Sequence, residues 1–288
     1  MPKVKISDAY LFFDVYGSQL SITETGVKEK PTLIVLHGGH GIADHTLYVK
    51  FWSQFSGIAQ VIFLDQRGCG RSDPCDSSGW NLAHWGQDVY DFCQALNIKK
   101  PIIAGVSMGG HVMCEYVNRY PEHPGALIFC NTEAKLDLEA MVEKFDELGG
   151  KEVAEICRQN YLSPTPESVD AYQDHCIPYY AKNAYTRAEV KRCLQHPEIF
   201  EHYCQHEMMR FDYLDTLSKI ACPTLLMVGE QSPGHPPKCA QLMKDKIKPG
   251  LVTYHEFKGA GAPVYNDSPE EAYQVVHKFI QSIIASEG

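Results

Sequence analysis

PIIAGVSMGGHVMCEYVNRY, residues 101–120, decides how this chain is read. The first six residues are a short apolar run, the rest carry a helical pattern, and Gly105-Val106-Ser107-Met108-Gly109 sits at the junction. A strand that turns directly into a helix needs small residues, and Gly105, Gly109 and Gly110 supply that room. Such a turn holds Ser107 in a strained backbone conformation with its hydroxyl exposed, where it can serve as a nucleophile. The helix start brings backbone N–H groups, that of Met108 among them, close to the same point, where they would stabilise a developing oxyanion. In isolation a G-x-S-x-G pentapeptide can be a chance glycine-serine turn. Between an apolar run and a helix it marks a candidate catalytic serine.

Working outward, similar apolar runs recur at Thr32–Leu36, Val61–Leu64, Ala126–Cys130, Pro223–Val228 and Leu251–Phe257. The central runs are nearly continuous in apolar residues, as suits strands covered on both faces, and longer helical patterns separate them. Tyr10–Tyr16 and Leu20–Thr23 read as an antiparallel pair that opens the sheet. Helices are expected at Trp85–Leu96 and Glu270–Ile284. From 133 to 220 the alternation stops, with helical patterns at Leu136–Leu148, Val153–Tyr161, Pro166–Tyr180 and Arg187–Gln195 and no convincing strand. The expected class is α/β: a mostly parallel, doubly wound sheet of about eight strands. Residues 1–132 and 221–288 form its core and 133–220 a helical cap.

Two further loops follow strands. His37-Gly38-Gly39-His40-Gly41 comes directly after TLIVL, and its glycines let backbone approach a substrate oxygen. The Gly39 N–H is the expected oxyanion partner of the Met108 N–H, with Gly38 and His40 beside it as substrate-binding candidates. Asp65-Gln66-Arg67-Gly68-Cys69-Gly70-Arg71-Ser72 follows VIFL and reads as a structural, charged turn near the same site.

In this order and spacing, the HGG loop, the DQRGCGRS loop and the GVSMGG turn resemble the α/β-hydrolase superfamily, most of all its proline iminopeptidase-related branch. The resemblance runs from about Tyr10 to Ile284, with the cap least informative. It implies the α/β-hydrolase fold, a nucleophile elbow at Ser107 and an oxyanion hole. It is weak for substrate, since the branch contains peptidases, esterases, lactonases and dehalogenases. Three positions depart from the branch. His40 stands where proline is usual. The catalytic acid, expected three residues after the glycine that ends PTLLMVG, is replaced by Ser232 in Gly229-Glu230-Gln231-Ser232-Pro233. The catalytic histidine, expected in a G-x-G-H turn, is replaced by Ala262 in Gly259-Ala260-Gly261-Ala262-Pro263, although Tyr265 and Ser268-Pro269-Glu270 follow as usual. An ordinary Ser-His-Asp mechanism cannot be assembled from these standard positions.

Substitutes stand nearby. Glu133 closely follows the ALIFC strand, where some superfamily members place the acid; otherwise it is a solvated first residue of the cap. His235 lies on the loop that normally carries the acid and can point into the site, or is simply a solvated histidine in a proline-rich loop. His40 could donate to a substrate oxygen from the oxyanion loop. Glu230 is expected to point away. Ala262 is either an inactivating change of an original histidine or natural divergence, and the paired loss at Ser232 favours divergence. His202 and His206, one turn apart, lack an identifiable third ligand, so no metal and no cofactor are expected. His111 reads as a packed helix residue. The cap aromatics Tyr161, Tyr172, Tyr179, Tyr180, Tyr185, Phe200 and Tyr203 either line a pocket over Ser107 or pack the cap.

Composition bounds the function. The 288 residues are 44% hydrophobic and 22% charged with a formal charge of −10, which suits a large folded core and gives no basic patch for nucleic acid or anionic membrane. The N-terminus shows no apolar segment of a signal peptide, and the eleven cysteines are scattered without a CxxC pair, so reduced thiols in a cytoplasmic setting are expected. The expected partners are a small-molecule substrate and at most a second copy of the chain as a homodimer. Three functions compete: a serine hydrolase of a small-molecule ester, lactone or amide through Ser107; a cofactor-free lyase, isomerase or cyclase that uses the pocket and oxyanion hole; and a small-molecule binding protein on the same scaffold.

Overall fold

The apolar runs become the strands of one sheet in a computed structural model that describes residues 2–24 and 26–287, so the expected outer limits at 1 and 288 lie outside the described residues. In chain order the strands are β1 (Lys3–Lys5), β2 (Tyr10–Tyr16), β3 (Leu20–Thr23), β4 (Gly26–Glu29), β5 (Thr32–Leu36), β6 (Gln60–Leu64), β7 (Ile102–Val106), β8 (Ala126–Cys130), β9 (Thr224–Gly229) and β10 (Val252–Phe257). Eight of them form the main sheet in the order β1-β2-β6-β5-β7-β8-β9-β10. The pairings from β6 through to β10 are parallel, while β1–β2 and β2–β6 are antiparallel. Strands β5, β7, β8 and β9 are buried along their whole length, which explains their unbroken apolar runs.

The helices are α1 (Thr46–Trp52), α2 (Leu82–Ala95), α3 (Met108–Arg119), α4 (Leu138–Gly149), α5 (Lys151–Leu162), α6 (Pro166–His175), α7 (Arg187–Val190), α8 (Pro197–Tyr203), α9 (Pro237–Lys246), α10 (Val264–Asp267) and α11 (Pro269–Glu287). Alternate residues of each strand feed opposite faces of the sheet. Ile34, Leu36, Ile103, Leu127, Phe129 and Leu226 pack with α2 and α3 through Trp85, Phe92, Val112 and Tyr116. Leu33, Val35, Ile102, Ala104, Ile128 and Leu225 pack with α1 and α11 through Phe51, Trp52, Val276 and Ile280. Each fully buried side chain of this size contributes on the order of 1.5–3 kcal/mol. The sheet is therefore the rigid floor of whatever lies at its edge.

Three local expectations are corrected. Tyr10–Tyr16 and Leu20–Thr23 do not pair with each other: β2 lies between β1 and β6, while β3 pairs with β4 in a separate hairpin. Between β2 and β3, Gly17 adopts a left-handed backbone (φ 82°) close against Ser56, where a side chain would not fit. The helical pattern at Arg187–Gln195 shortens to α7. Helix α2 begins three residues before the expected Trp85, because the Asn81 side chain accepts the His84 N–H at 2.9 Å and caps it.

The interval from 133 to 220, called the cap below, carries α4 to α8 and no strand among the described residues. Its backbone is tied to two core loops. The Tyr180 carbonyl accepts the Ala262 N–H at 2.6 Å. The Asp267 carboxylate accepts the N–H groups of Lys182 (3.2 Å), Asn183 (2.7 Å) and Gly261 (2.8 Å). At the other end the Asp44 carboxylate accepts the Leu194 N–H at 2.9 Å, and the Gly41 carbonyl accepts the His196 N–H at 2.6 Å. Among the described residues no helix is long and apolar enough to cross a membrane.

Asp267→Ala removes one acceptor shared by three backbone donors. Hydrogen bonds to a charged group are worth about 1.5–3 kcal/mol, so the variant is expected to lose stability on that scale in urea unfolding. It should also be nicked faster by protease within 180–186. Unchanged cleavage there would show that Asp267 does not hold this part of the cap.

Candidate active site

Ser107 joins β7 to α3 with φ 51° and ψ −124°, a region that a non-glycine residue rarely occupies. Its neighbours hold it there. The Ser107 N–H donates to the Cys130 carbonyl at 3.1 Å, and the Ser107 carbonyl accepts the Thr132 hydroxyl at 2.7 Å. Thr132 also lies so close to Gly110 that no Cβ would fit at 110. A Cβ at Gly38 would stand 2.9 Å from that of Ser107, so the HGG loop packs directly on the elbow. Among the described residues no protein acceptor takes the N–H of Gly39 or of Met108.

β8 ends in Asn131-Thr132-Glu133, three side chains that each tie down a different part of the site. Asn131, in the left-handed region at φ 45°, accepts the Val264 N–H at 2.9 Å and so fixes the turn that contains Ala262. Thr132 holds the elbow. Glu133 is only 2% exposed, and its two oxygens face two imidazoles: Oε2 bonds His235 Nδ1, and Oε1 lies 3.1 Å from His111 Nε2. His235 Nε2 is 3.1 Å from Ser107 Oγ. His111 Nδ1 is 2.8 Å from the hydroxyl of Tyr203, at the end of α8 in the cap.

Burial alone would raise the Glu133 carboxyl, but the charge of His235 and the hydrogen bonds from His111 and His235 outweigh it and hold the group at about 2. An ionised carboxylate only accepts hydrogen bonds, so the proton of the His235–Glu133 pair sits on Nδ1. A neutral His235 ring then presents a bare Nε2 to the Ser107 hydroxyl. That tautomer can take a proton from the serine.

The other candidates fall elsewhere. The Gln66 amide nitrogen donates to the His37 carbonyl at 2.8 Å, which turns Gln66 Oε1 toward His40 Nε2 at 2.9 Å. His40 Nε2–H is thus taken and its Nδ1 is a bare acceptor without a partner among the described residues; burial holds its pKa well below the ordinary value. In this arrangement the Nε2 side of the ring is engaged by Gln66. Ala262 has only a methyl group, which can move no proton, and its N–H is engaged by Tyr180. Ser232 is fully buried with its hydroxyl unpartnered among the described residues. Glu230 turns to the Lys258 ammonium (3.1 Å) and the Gly259 N–H (2.8 Å). Arg67 pairs with Asp88 at 2.7 and 2.8 Å, and Asp65 accepts from His45 Nδ1 at 2.8 Å, so both serve the fold. The rings of His202 and His206 are 4.3 Å apart, and no group of three metal-binding side chains occurs among the described residues.

Sequence reading treated His111 as packing and missed its contact with Glu133. A signal was present: His111 lies in the first turn of the helix that starts directly after Ser107, close to the elbow in sequence. Tyr203 gave no comparable signal, because only the folded cap brings it to α3.

A mostly parallel sheet, a strained serine at a strand-to-helix elbow and a glycine loop packed against it define a class, and the chain belongs to the alpha/beta hydrolase fold family, whose profile matches residues 31–269. It is 25% identical over 290 residues to a proline iminopeptidase of Heyndrickxia coagulans, covering 94% of this chain and 98% of that protein. It is 24% identical over 268 residues to the 3-oxoadipate enol-lactonase 1 of Acinetobacter baylyi, covering 93% and 95%. Its fold matches the crystal structure of the proline iminopeptidase of Mycobacterium smegmatis with a TM-score of 0.79 at 21% identity, over 100% of this chain and 99% of that one.

The depressed Glu133 group makes stability depend on pH in a stated direction. Its folded value of about 2 lies below the ordinary 4.5, so its contribution is complete above pH 4.5 and is lost as pH falls toward 2. Glu133→Gln should therefore flatten the acid decline in stability over that window, as read from urea midpoints at several pH values. A decline parallel to that of the parent chain would show that the carboxylate is not held ionised in the fold.

Proposed function

We propose that this chain is a serine hydrolase that cleaves a small-molecule ester, lactone or amide with Ser107 as nucleophile, His235 as base and Glu133 as acid. The single observation that carries the reading is the continuous contact from Ser107 Oγ through the His235 ring to Glu133. Ser107 Oγ bonds to the substrate carbonyl carbon while its proton passes to His235 Nε2. The resulting imidazolium is balanced by the Glu133 carboxylate. The oxygen of the tetrahedral intermediate takes up negative charge between the N–H groups of Gly39 and Met108, both otherwise unused. His235 returns the proton to the leaving oxygen or nitrogen as the C–O or C–N bond breaks. Water, deprotonated by the same ring, then releases the acyl group and restores Ser107.

The relatives support the carbonyl class, since an iminopeptidase cleaves an amide and an enol-lactonase opens a cyclic ester. A complete proton path favours hydrolysis over a lyase or a retired binding scaffold, neither of which needs a base on the serine. The base in this reading comes from the β9 loop, where related chains carry the acid. The acid comes from the end of β8.

Hydrolysis of 4-nitrophenyl acetate by single variants tests the assignment. Ser107→Ala, His235→Gln and Glu133→Gln are each expected to lose about 10²–10⁴-fold in kcat. Ala262→His should stay within about threefold of the parent, because the base position is already filled. Full activity of His235→Gln, or a large gain in Ala262→His, would refute the assignment.

A further inference from the structure

A carboxylate has two oxygens, and the proton path to Ser107 uses one. The other, Glu133 Oε1, lies 3.1 Å from His111 Nε2, and His111 Nδ1 lies 2.8 Å from the Tyr203 hydroxyl. Glu133 and His111 are each 2% exposed and Tyr203 is fully buried. The chemistry of the ends fixes the protons between them. Glu133 can only accept, so His111 Nε2 carries a proton. With a neutral ring His111 Nδ1 is then a lone-pair acceptor, and the Tyr203 O–H donates to it. Burial pushes the Tyr203 hydroxyl well above its ordinary value, so it keeps that proton.

We infer that His111 is a positioning residue for Glu133 and that Tyr203 couples this positioning to the seating of the cap; the inference rests on the hydrolase reading above. A carboxylate bonded on one oxygen alone can swing about its side-chain torsions, and each swing moves the His235 ring away from Ser107. A second imidazole on Oε1 fixes the plane of the carboxylate, so that Oε2 stays aimed at His235 Nδ1. His111 is itself held on three sides. Its backbone lies in the first turn of α3, its ring packs on Phe211 with centroids 4.3 Å apart, and Tyr203 engages its far nitrogen. Phe211 and Tyr203 both belong to the cap interval, whereas Ser107 and His111 belong to the core helix and its elbow. Tyr203 also stacks on His40 of the glycine loop, with ring centroids 6.2 Å apart, and lies tilted against Trp85 of α2 at 5.9 Å. A cap seated on α3 thereby completes the carboxylate's hydrogen bonds, and a lifted α8 would remove one link of the chain.

The test uses the full chain and a fluorophosphonate, which reacts with an activated serine whatever the natural substrate. Ser107 Oγ bonds to phosphorus as fluoride leaves. The saturating labelling rate and the half-saturating concentration are measured for His111→Met, His111→Gln, Tyr203→Phe and the double variant His111→Met with Tyr203→Phe. Ser107→Ala and His235→Gln serve as controls. His111→Met is expected to slow the saturating rate about 10- to 100-fold with the half-saturating concentration within about twofold. His111→Gln, whose amide nitrogen can replace Nε2 as donor, should recover to within about fivefold of the parent. Tyr203→Phe should slow labelling about 3- to 10-fold and add nothing to His111→Met, since both act through one path. In parallel, ¹⁵N-histidine NMR should show the downfield His235 Nδ1–H signal broadened or shifted in His111→Met and restored in His111→Gln. Parent-like rates and an unchanged His235 signal in His111→Met, with both controls inactive, would overturn the inference and leave the hydrolase reading standing. Parent-like labelling of His235→Gln would overturn the hydrolase reading itself. If His111→Met does not fold, parent-like labelling of Tyr203→Phe with an unchanged His235 signal overturns the inference, and slowed labelling that leaves half-saturation unchanged supports it.

Discussion

A single buried carboxylate at the end of a central strand organises this site. Glu133 lies between two imidazoles, and its ionised form is stable there only because both rings direct protons at it. Remove either ring and a charge is left buried with an unmet oxygen. The rest of the arrangement follows from where that carboxylate is anchored. It is the third residue after β8, beside two others that fix the elbow and the 261–264 turn, so Glu133, Ser107 and the far loop are positioned by one tripeptide. Rigidity at this point comes from the fully buried strands on either side.

In the proposed mechanism the base comes from the loop after β9 rather than from the turn that contains Ala262, and the sheet topology is compatible with this. Parallel register brings the ends of β5, β7, β8 and β9 to one edge of the sheet. Any loop leaving that edge can reach the space above the serine, so a base can be supplied from the β9 loop as readily as from the loop after β10. With His235 as the proposed base, position 262 needs no imidazole. At that turn the Tyr180 carbonyl accepts the Ala262 N–H and leaves no room for a Cβ at Gly261. Nothing in the structure explains the serine at 232, whose hydroxyl is buried without a partner among the described residues.

Much of this was legible in the sequence, and the remainder was not for identifiable reasons. The central strands could be read to within a residue, because burial on both faces forces unbroken apolar runs. The elbow was equally plain, since a strained serine between a strand and a helix leaves few alternatives to glycine around it. The pairing of β3 with β4, rather than with β2, was missed because the short run LSIT alternates apolar and polar residues and does not mark its partner. Glu133 and His235 could be named only as alternatives, each with an ordinary surface reading. Their 102-residue separation carries no periodicity, and only the sheet edge brings them together. His40 Nε2 faces Gln66 Oε1 at 2.9 Å, a contact that the sequence did not signal.

His235 is proposed to supply the base for Ser107. Chemical rescue tests it most directly: a His235→Ala chain is treated with a fluorophosphonate, with and without added imidazole, and labelling at Ser107 is followed by mass spectrometry. The cavity left by the ring lies between Glu133 and the serine, so free imidazole can take the same place and orientation. The expected result is labelling that nearly vanishes in the variant and returns in proportion to imidazole, with no such return when Glu133 is also replaced by Gln. Labelling of His235→Ala at the parent rate without imidazole would contradict the claim and place the base elsewhere.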